Sequence, residues 1–157
     1  MMTHQDYIDL AIAMACENVA KEMGGPFGAV IVRHGQVIAK CANEVTRTHD
    51  PTAHAEIVAI RNACHQLQQF ELDDCELYTS CEPCPMCLSA IYWARIPKVY
   101  FAANQMDAKH AGFDDHWIYQ EIGKPLDKRN VEMSFLDAPN KNEPFLLWSQ
   151  SEGSIRY

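Results

Sequence analysis

The order of helical and strand-like patterns along the chain is the feature that most constrains its fold. A helical pattern comes first, two short strand-like runs follow, and then helix, strand, helix and strand alternate. Helices that connect parallel strands lie against the faces of a sheet, so this order predicts an α/β fold with helices on both sides. The predicted elements are helices over 3–23, 54–66 and 84–95 and strands over 27–32, 36–42, 75–79 and 98–102.

Local signals mark the ends of these elements. Thr3 is the expected cap of the first helix, and Gly24-Gly25-Pro26 ends that helix. Arg33-His34-Gly35 separates the first two strands as the turn of a hairpin, Thr52 is the expected cap of the second helix, and Pro85 begins the third. Beyond residue 103 the patterns weaken and predict a short helix over 115–122, a last strand over 132–136 and a terminal helix over 143–151.

Length and charge narrow the class of protein. A chain of 157 residues, 48% of them hydrophobic, is expected to fold as one domain spanning 1–157. The 21 acidic residues exceed the 13 basic ones and give a net charge of −8, which disfavours a nucleic-acid or anionic membrane partner. No apolar run approaches the roughly 20 residues that span a bilayer. We therefore expect no nucleic-acid partner and no membrane insertion.

The cysteines indicate a reducing compartment. Their number is odd, three of them fall within seven positions, and no signal-peptide pattern precedes them. These features fit free thiols better than a disulfide framework, so the cytoplasm is the expected location. The seven cysteines are Cys16, Cys41, Cys64, Cys75, Cys81, Cys84 and Cys87.

Two short motifs carry the expected chemistry, His54-Ala55-Glu56 and Pro83-Cys84-Pro85-Met86-Cys87. Zinc binds imidazole nitrogen and thiolate sulfur, and a site with three protein ligands keeps its fourth position open. At the start of a helix, the i, i+3 spacing brings Cys84 and Cys87 to one side, where the helix dipole favours thiolates. The predicted metal ligands are therefore His54, Cys84 and Cys87.

Glu56 has the expected role of catalytic acid and base. Residues two apart face nearly opposite directions inside a helix, so His54 and Glu56 converge only around a helix start. A carboxylate beside a zinc-bound water takes its proton and passes it to a leaving group. An H-x-E motif paired with P-C-x-x-C is the signature of zinc nucleobase deaminases.

Two alternatives remain open on these residues. Cys81 could join His54, Cys84 and Cys87 in a closed four-ligand site, which would make the chain a zinc-stapled binding domain without catalysis. Alternatively, the cysteines are buried thiols without a metal. Glu56 separates these interpretations, because only an enzyme needs it.

The motifs also carry a family resemblance that spans nearly the whole chain. The sequence resembles the bacterial guanine deaminases of the cytidine-deaminase-like superfamily. This resemblance implies a three-layer α/β/α sandwich around a five-stranded mixed sheet, with zinc as cofactor, and a homodimer. The segments that carry it are Gly24-Gly25-Pro26-Phe27-Gly28-Ala29, Asp50-Pro51-Thr52-Ala53-His54-Ala55-Glu56, Ser80-Cys81-Glu82-Pro83-Cys84-Pro85-Met86-Cys87 and Gly112-Phe113-Asp114-Asp115.

The resemblance also implies residues for substrate binding. Phe27 would line the base pocket and Asn43 would hydrogen-bond the purine. Asp115 would recognise the guanine edge and assist proton transfer, and Tyr157 would close the pocket. The C-terminal segment 140–157 would close the active site or be exchanged between subunits.

Phe27, Asn43 and Asp115 each also have a plain structural interpretation. Phe27 at a strand start is commonly core, and Asn43 could end its strand in a turn. Asp114 and Asp115 could equally cap the helix that follows them.

The function expected from the motifs and the resemblance together is hydrolytic deamination of guanine to xanthine and ammonia. The alternatives within the same chemistry are guanosine, cytosine, cytidine and transfer-RNA adenosine deamination. Net charge weighs against the last, because a polynucleotide substrate needs a cationic track.

Overall fold

A computed structural model describes residues 2–157, and its central feature is a mixed sheet with the strand order β2-β1-β3-β4. β1 pairs antiparallel with both β2 and β3, whereas β3 and β4 are parallel. The strands are β1 (Gly28–Arg33), β2 (Gln36–Ala42), β3 (Cys75–Cys81) and β4 (Lys98–Ala103). The predicted α/β class is confirmed, with four strands among the described residues in place of the expected five.

Helices alternate with the strands along the chain in the predicted order. The predicted helices and strands of the first 103 residues are all present, and the structure adds two short helices, α2 and α5. The helices are α1 (His4–Ala20), α2 (Val45–Thr48), α3 (Ala55–Leu67), α4 (Pro85–Trp93), α5 (Gln105–His110), α6 (His116–Gly123) and α7 (Glu143–Gln150). Among residues 2–157, no helix has both the length and the hydropathy needed to cross a membrane.

The alternation of side chains along β1 divides the core into two layers. Ala29 and Ile31 pack into a cluster with α3 and α4, on one face of the sheet. Val30 and Val32 pack with Tyr7 and other residues of α1 on the opposite face. Because successive strand residues point to opposite faces, this one strand is covered on both sides. The three-layer arrangement is therefore confirmed.

Helix α1 lies directly against the start of β1. Thr3 caps the helix as predicted, in a reciprocal capping box with Asp6. A Cβ atom at Gly28 would lie 2.1 Å from the backbone oxygen of Ala11, so the close approach of helix and strand requires glycine there.

The starts of α3 and α4 bring the sequence motifs to two helix N-termini. The expectation that Thr52 caps α3 is wrong: the cap position is His54, and Thr52 instead donates to the side chain of Asp50. Cys84 is the cap residue of α4, and its sulfur accepts a hydrogen bond from Cys87 N–H. Helix α4 connects the parallel strands β3 and β4, as crossover helices do.

Residues 118–157 form a second compact unit. It contains a 3₁₀ turn (Leu126–Lys128) and the helix α7. The predicted strand over 132–136 is wrong, because these residues pair with no strand among the described residues. The run contains β-prone residues, but Phe135 and Leu136 are 79% and 81% exposed. A strand forms only where a partner supplies hydrogen bonds.

Candidate metal centre and active site

The first turns of α3 and α4 bring three metal-binding side chains together. His54 Nδ1 lies 3.5 Å from Cys84 Sγ and 3.5 Å from Cys87 Sγ. All three donor atoms lie within 4.8 Å of one another. The predicted ligand set therefore converges at one point.

The spacing of the donor atoms matches a tetrahedral zinc ion. Zinc binds sulfur at about 2.3 Å and nitrogen at about 2.1 Å, which places nitrogen and sulfur about 3.6 Å apart in a tetrahedron. The two observed nitrogen–sulfur distances are 3.5 Å. A ligand set of one imidazole and two thiols suits zinc chemically, and three ligands leave one tetrahedral position for water or substrate.

The electrostatics favour thiolate at Cys84. Its sulfur accepts hydrogen bonds from the Cys87 side chain, which is the largest cause, and from His54, and these lower its pKa to about 4. The same contact with Cys84 is the main reason that the pKa of His54 is raised. Since thiolate is the form that binds metals, the site is prepared to bind a cation.

Glu56 lies beside this group and is almost fully buried. It is 6% exposed, and burial is the largest cause of its raised pKa. The charge of Glu56 contributes to the raised pKa of His54, and a hydrogen bond with the Cys87 side chain partly offsets the effect of burial on the pKa of Glu56. A carboxyl group with a raised pKa beside an open metal position is suited to accept and return a proton near neutral pH.

Cys81 is not part of the ligand group. Within the part of the chain that the structure describes, that group has three members, and Cys81 is not one of them. The Cys81 thiol instead donates to the backbone oxygen of Asn104, and burial raises its pKa to about 11. The closed four-ligand alternative is therefore not the arrangement observed.

The two consecutive aspartates have different surroundings. Asp114 is exposed; its carboxylate accepts from His116 N–H at the start of α6 and pairs with Lys109 at 3.2 Å. Asp115 is half-buried, and burial is the largest cause of its raised pKa. The charge of Asp115 contributes, after larger causes, to the raised pKa of His54, whereas Asp114 is not among the causes.

Phe27 and Asn43 are neighbours at the same end of the sheet. Asn43 N–H donates to the backbone oxygen of Phe27 at 3.0 Å, just before β1 and just after β2. The Phe27 ring meets the ring of Phe113 edge-on at 4.9 Å, next to the Asp114-Asp115 pair. Tyr157 belongs to the second unit, where it is 69% exposed.

Two polar residues near the site were not singled out from the sequence. Glu82 accepts hydrogen bonds from the backbone and side chain of Gln105 at the start of α5. Asn18 is 3% exposed and donates to two backbone oxygens. A signal existed for Asn18, because it continues the buried stripe of α1 at helical spacing, three residues after Ala15.

Comparison with known proteins agrees with this geometry. A family model described as the cytidine and deoxycytidylate deaminase zinc-binding region matches residues 1–103. The guanine deaminase of Bacillus subtilis (strain 168) is 52% identical over 156 residues, which cover 99% of this chain and 100% of that protein. The tRNA-specific adenosine deaminase of Aquifex aeolicus (strain VF5) is 49% identical over 118 residues, covering 75% of this chain and 76% of that protein.

A solved structure gives the same result for the fold. The crystal structure of a guanine deaminase from Bacillus subtilis matches this chain with a TM-score of 0.97 at 50% identity, and the match covers 99% of each chain. The family match includes all three residues of the ligand group together with Glu56. The chain therefore belongs to the family of deaminases defined by the cytidine and deoxycytidylate deaminase zinc-binding region.

Proposed function

We propose that this protein catalyses the hydrolytic deamination of guanine, which converts guanine and water to xanthine and ammonia. The observation that carries the proposal is the buried Glu56 beside a group of three candidate zinc ligands. The near full-length likeness to a guanine deaminase supports guanine as the substrate.

Glu56 moves the protons of the reaction. His54, Cys84 and Cys87 would hold a zinc ion, which would lower the pKa of a water molecule and make it a nucleophile. The carboxylate of Glu56 accepts the proton of the attacking water as oxygen adds to the ring carbon that bears the amino group. Glu56 then delivers that proton to the amino nitrogen, the carbon–nitrogen bond breaks, and ammonia leaves.

The remaining site residues fit a guanine edge. A carboxylate at Asp115 accepts from the N–H groups that guanine carries at N1 and N2 and assists proton transfer. The amide of Asn43 donates to an acceptor on the purine, and Phe27 contributes an apolar wall. Tyr157 closes the pocket from the C-terminal segment.

A panel of substrates tests the reaction. The purified, metal-quantified protein is mixed separately with guanine, guanosine, adenine, cytosine and cytidine, and ammonia release is measured. We expect ammonia from guanine. Ammonia from guanosine or a pyrimidine in place of guanine would overturn the substrate, and no ammonia from any of the five would favour a zinc-stapled binding domain.

A substitution at Glu56 tests the mechanism. Glu56→Gln keeps the size of the side chain but removes its proton-accepting oxygen, so turnover should fall at least a thousandfold while one zinc ion per chain remains bound. Substantial activity in this variant would contradict the role of Glu56.

We further propose that 1–157 acts as a single deaminase domain in a homodimer, with segment 140–157 either closing the active site of its own chain or exchanged between subunits. A mixed-dimer experiment tests this proposal. Glu56→Gln chains, which retain Tyr157, are refolded together with Tyr157→Ala chains, which retain Glu56. Activity well above that of either variant alone is expected if the segment crosses to its partner, whereas no gain would mean that each chain closes its own site.

A cytoplasmic location is part of the same proposal. It is supported by the seven cysteines, all of which are free thiols. A reducing compartment preserves such thiols, including the two that would bind zinc. Fractionation of cells that express the chain, followed by immunodetection, tests the location.

A further inference from the structure

We propose that Asn18 is a positioning residue for substrate binding, because its buried amide fixes the orientation of the Asn43 side chain. The inference rests on the proposed function in one respect: Asn43 is taken to contact the purine. Asn18 itself lies on α1, and we assign it no contact with the substrate.

The amide of Asn18 joins two loops that are distant in sequence. Its Nδ2 atom donates to Gly25 O at 2.9 Å and to Asn43 O at 2.8 Å. An amide nitrogen has two hydrogens, so both are used, and the two carbonyl partners establish which end of the side chain is nitrogen. The loop after α1 and the end of β2 are thereby tied to one point on the helix.

The same two loops then determine the orientation of the Asn43 side chain. Asn43 Oδ1 accepts from Gly25 N–H at 3.3 Å and from Val45 N–H at 3.2 Å. With its oxygen held by two backbone donors, the side chain presents its Nδ2 atom on the other side. Nδ2 of Asn43 has no hydrogen-bond partner among the described residues. In that same part of the chain, every side-chain nitrogen or oxygen atom that is itself fully buried does have a partner.

It follows that Nδ2 of Asn43 is reached by solvent although the residue is only 6% exposed. A directed donor in a mostly buried residue is suited to bind a ligand acceptor, because its orientation is already set before the ligand arrives. The donor pair of Asn43 is therefore available to the acceptor atoms of a purine.

The packing leaves little freedom in this arrangement. A Cβ atom at Gly24 would lie 2.3 Å from Asn43 O and 2.8 Å from Asn18 Nδ2. Beyond Asn43, Glu44 N–H donates to Ala53 O at 2.9 Å, directly before His54. The backbone at Asn43 and Glu44 is thus bonded on one side to Phe27 and on the other to Ala53, the residue before the candidate metal ligand His54.

Loss of Asn18 has a specific expected effect. Without its two donors, the carbonyls of Gly25 and Asn43 are released, and the Gly25 N–H that orients Asn43 Oδ1 is no longer held in place. Binding of the base should weaken, while zinc and Glu56 remain in position. We expect Asn18→Ala to raise the KM for guanine about tenfold and to change kcat less than threefold. The tenfold change in KM corresponds to the loss of a single well-placed hydrogen bond.

A double-mutant cycle separates positioning from general stability. The steady-state constants are measured for Asn18→Ala, Asn43→Ala and the double variant, with zinc content and Tm determined for each. If Asn18 acts through Asn43, adding Asn18→Ala to Asn43→Ala raises KM by less than twofold further. A further tenfold rise in the double variant, or a change in Tm with no change in KM, would overturn the proposal.

Three further variants complete the experiment. Tyr7→Phe is the matched control, because Tyr7 is a buried residue of the same helix whose hydroxyl donates to Gly35 O. Its KM for guanine should stay within twofold of the unmodified protein. Asn18→Asp keeps the volume but lacks the donors and should raise KM at least as much as alanine. If alanine and aspartate variants do not fold, Asn18→Gln, which displaces the amide by one methylene, provides the test.

A spectroscopic readout distinguishes this proposal from the proposed function. In nitrogen–proton correlation spectra, Asn18→Ala should shift the backbone amides of Gly25 and Val45 and the side-chain amide of Asn43, whatever the substrate. Unshifted signals would overturn the positioning role. If guanine is not deaminated, the proposed function fails, and the cycle is measured on whichever base of the panel releases ammonia.

Discussion

Gly24 lies where the loop after α1 comes closest to the end of β2. The 2.3 Å contact that a Cβ atom would make is with a backbone oxygen, which cannot move aside as the end of a flexible side chain can. The sequence marked Gly24 as part of a helix stop and of a segment that carries the family resemblance. Its steric role could not be predicted, because it depends on a carbonyl 19 residues further along the chain.

Gly24→Ala is therefore expected to destabilise the protein by about 2 kcal/mol and to raise the KM for guanine, since the displaced carbonyl belongs to Asn43. Chemical denaturation and steady-state kinetics measure the two effects. Gly123→Ala is the control, because a Cβ atom there meets nothing within 4 Å. Equal stability of the two variants would contradict the steric argument.

The neighbouring aspartates give a second prediction at the scale of single residues. Asp115→Asn should lower kcat/KM for guanine at least tenfold with zinc retained, because an amide accepts N–H donors less strongly and carries no charge toward His54. Asp114→Asn should change kcat/KM less than threefold, since Asp114 contacts His116 N–H and Lys109. The reverse order of effects would transfer the role to Asp114.

At the scale of elements, the amino ends of β3 and β4 are held to α1 by a polar cluster. Tyr78 O–H donates to Glu76 at 2.7 Å and contacts His4 at 2.7 Å, and Lys98 pairs with Glu76 at 3.0 Å. The rings of Tyr78 and Tyr100 stack at 4.8 Å. The Glu76 carboxylate connects the two strands, and the Tyr78 hydroxyl connects them to His4 of α1.

This carboxylate makes stability depend on pH. The hydrogen bond from Tyr78, followed by that from Lys98, lowers the pKa of Glu76 in the folded state. A lowered pKa means that the stabilisation is complete above the unfolded carboxyl pKa of about 4.3 and is lost as pH falls through the folded value.

Glu76→Gln should therefore cost about 1 kcal/mol of stability at pH 7 and progressively less below pH 4. Measuring unfolding of both proteins at each pH cancels the effect of acid on the metal site. Glu71→Gln, at an exposed position, serves as the control. A stability difference that does not change with pH would contradict the linkage.

Most elements of the first 103 residues were predictable because periodicity and capping act locally. Cys84 at the start of a helix is an example, since Pro85 follows it and cannot supply an N–H to a preceding turn. The helices α2 and α5 span only four and six residues, too few for a period to appear. The prediction of a strand over 132–136 was wrong for a different reason. Strand pairing depends on partners that are distant in sequence.

At the scale of the whole molecule, a bound ion would connect the first turns of two helices on one face of the sheet. Neither of the two buried apolar clusters contains His54, Cys84 or Cys87. The two main apolar clusters therefore form without the ligands, although Cys87 itself is fully buried. The ligands were predictable because their spacing is local, whereas their convergence depends on the order of the strands.

Removal of the metal should consequently abolish activity without unfolding the chain. A chelator should lower Tm, since an ion that binds only the folded state stabilises it, while far-ultraviolet circular dichroism keeps its helix and sheet signal. Added zinc should restore both activity and Tm. Loss of the dichroism signal on chelation at 25 °C would instead indicate a zinc that the fold requires.

The stabilising cluster around Glu76 and the candidate reaction centre lie at opposite ends of strand β3. Glu76 lies near its amino end and Cys81 at its carboxyl end, a separation of about 17 Å at the usual rise per residue. Directed evolution can use this separation. A library restricted to the amino ends of β3 and β4 would explore heat tolerance while the reaction centre stays unmutated.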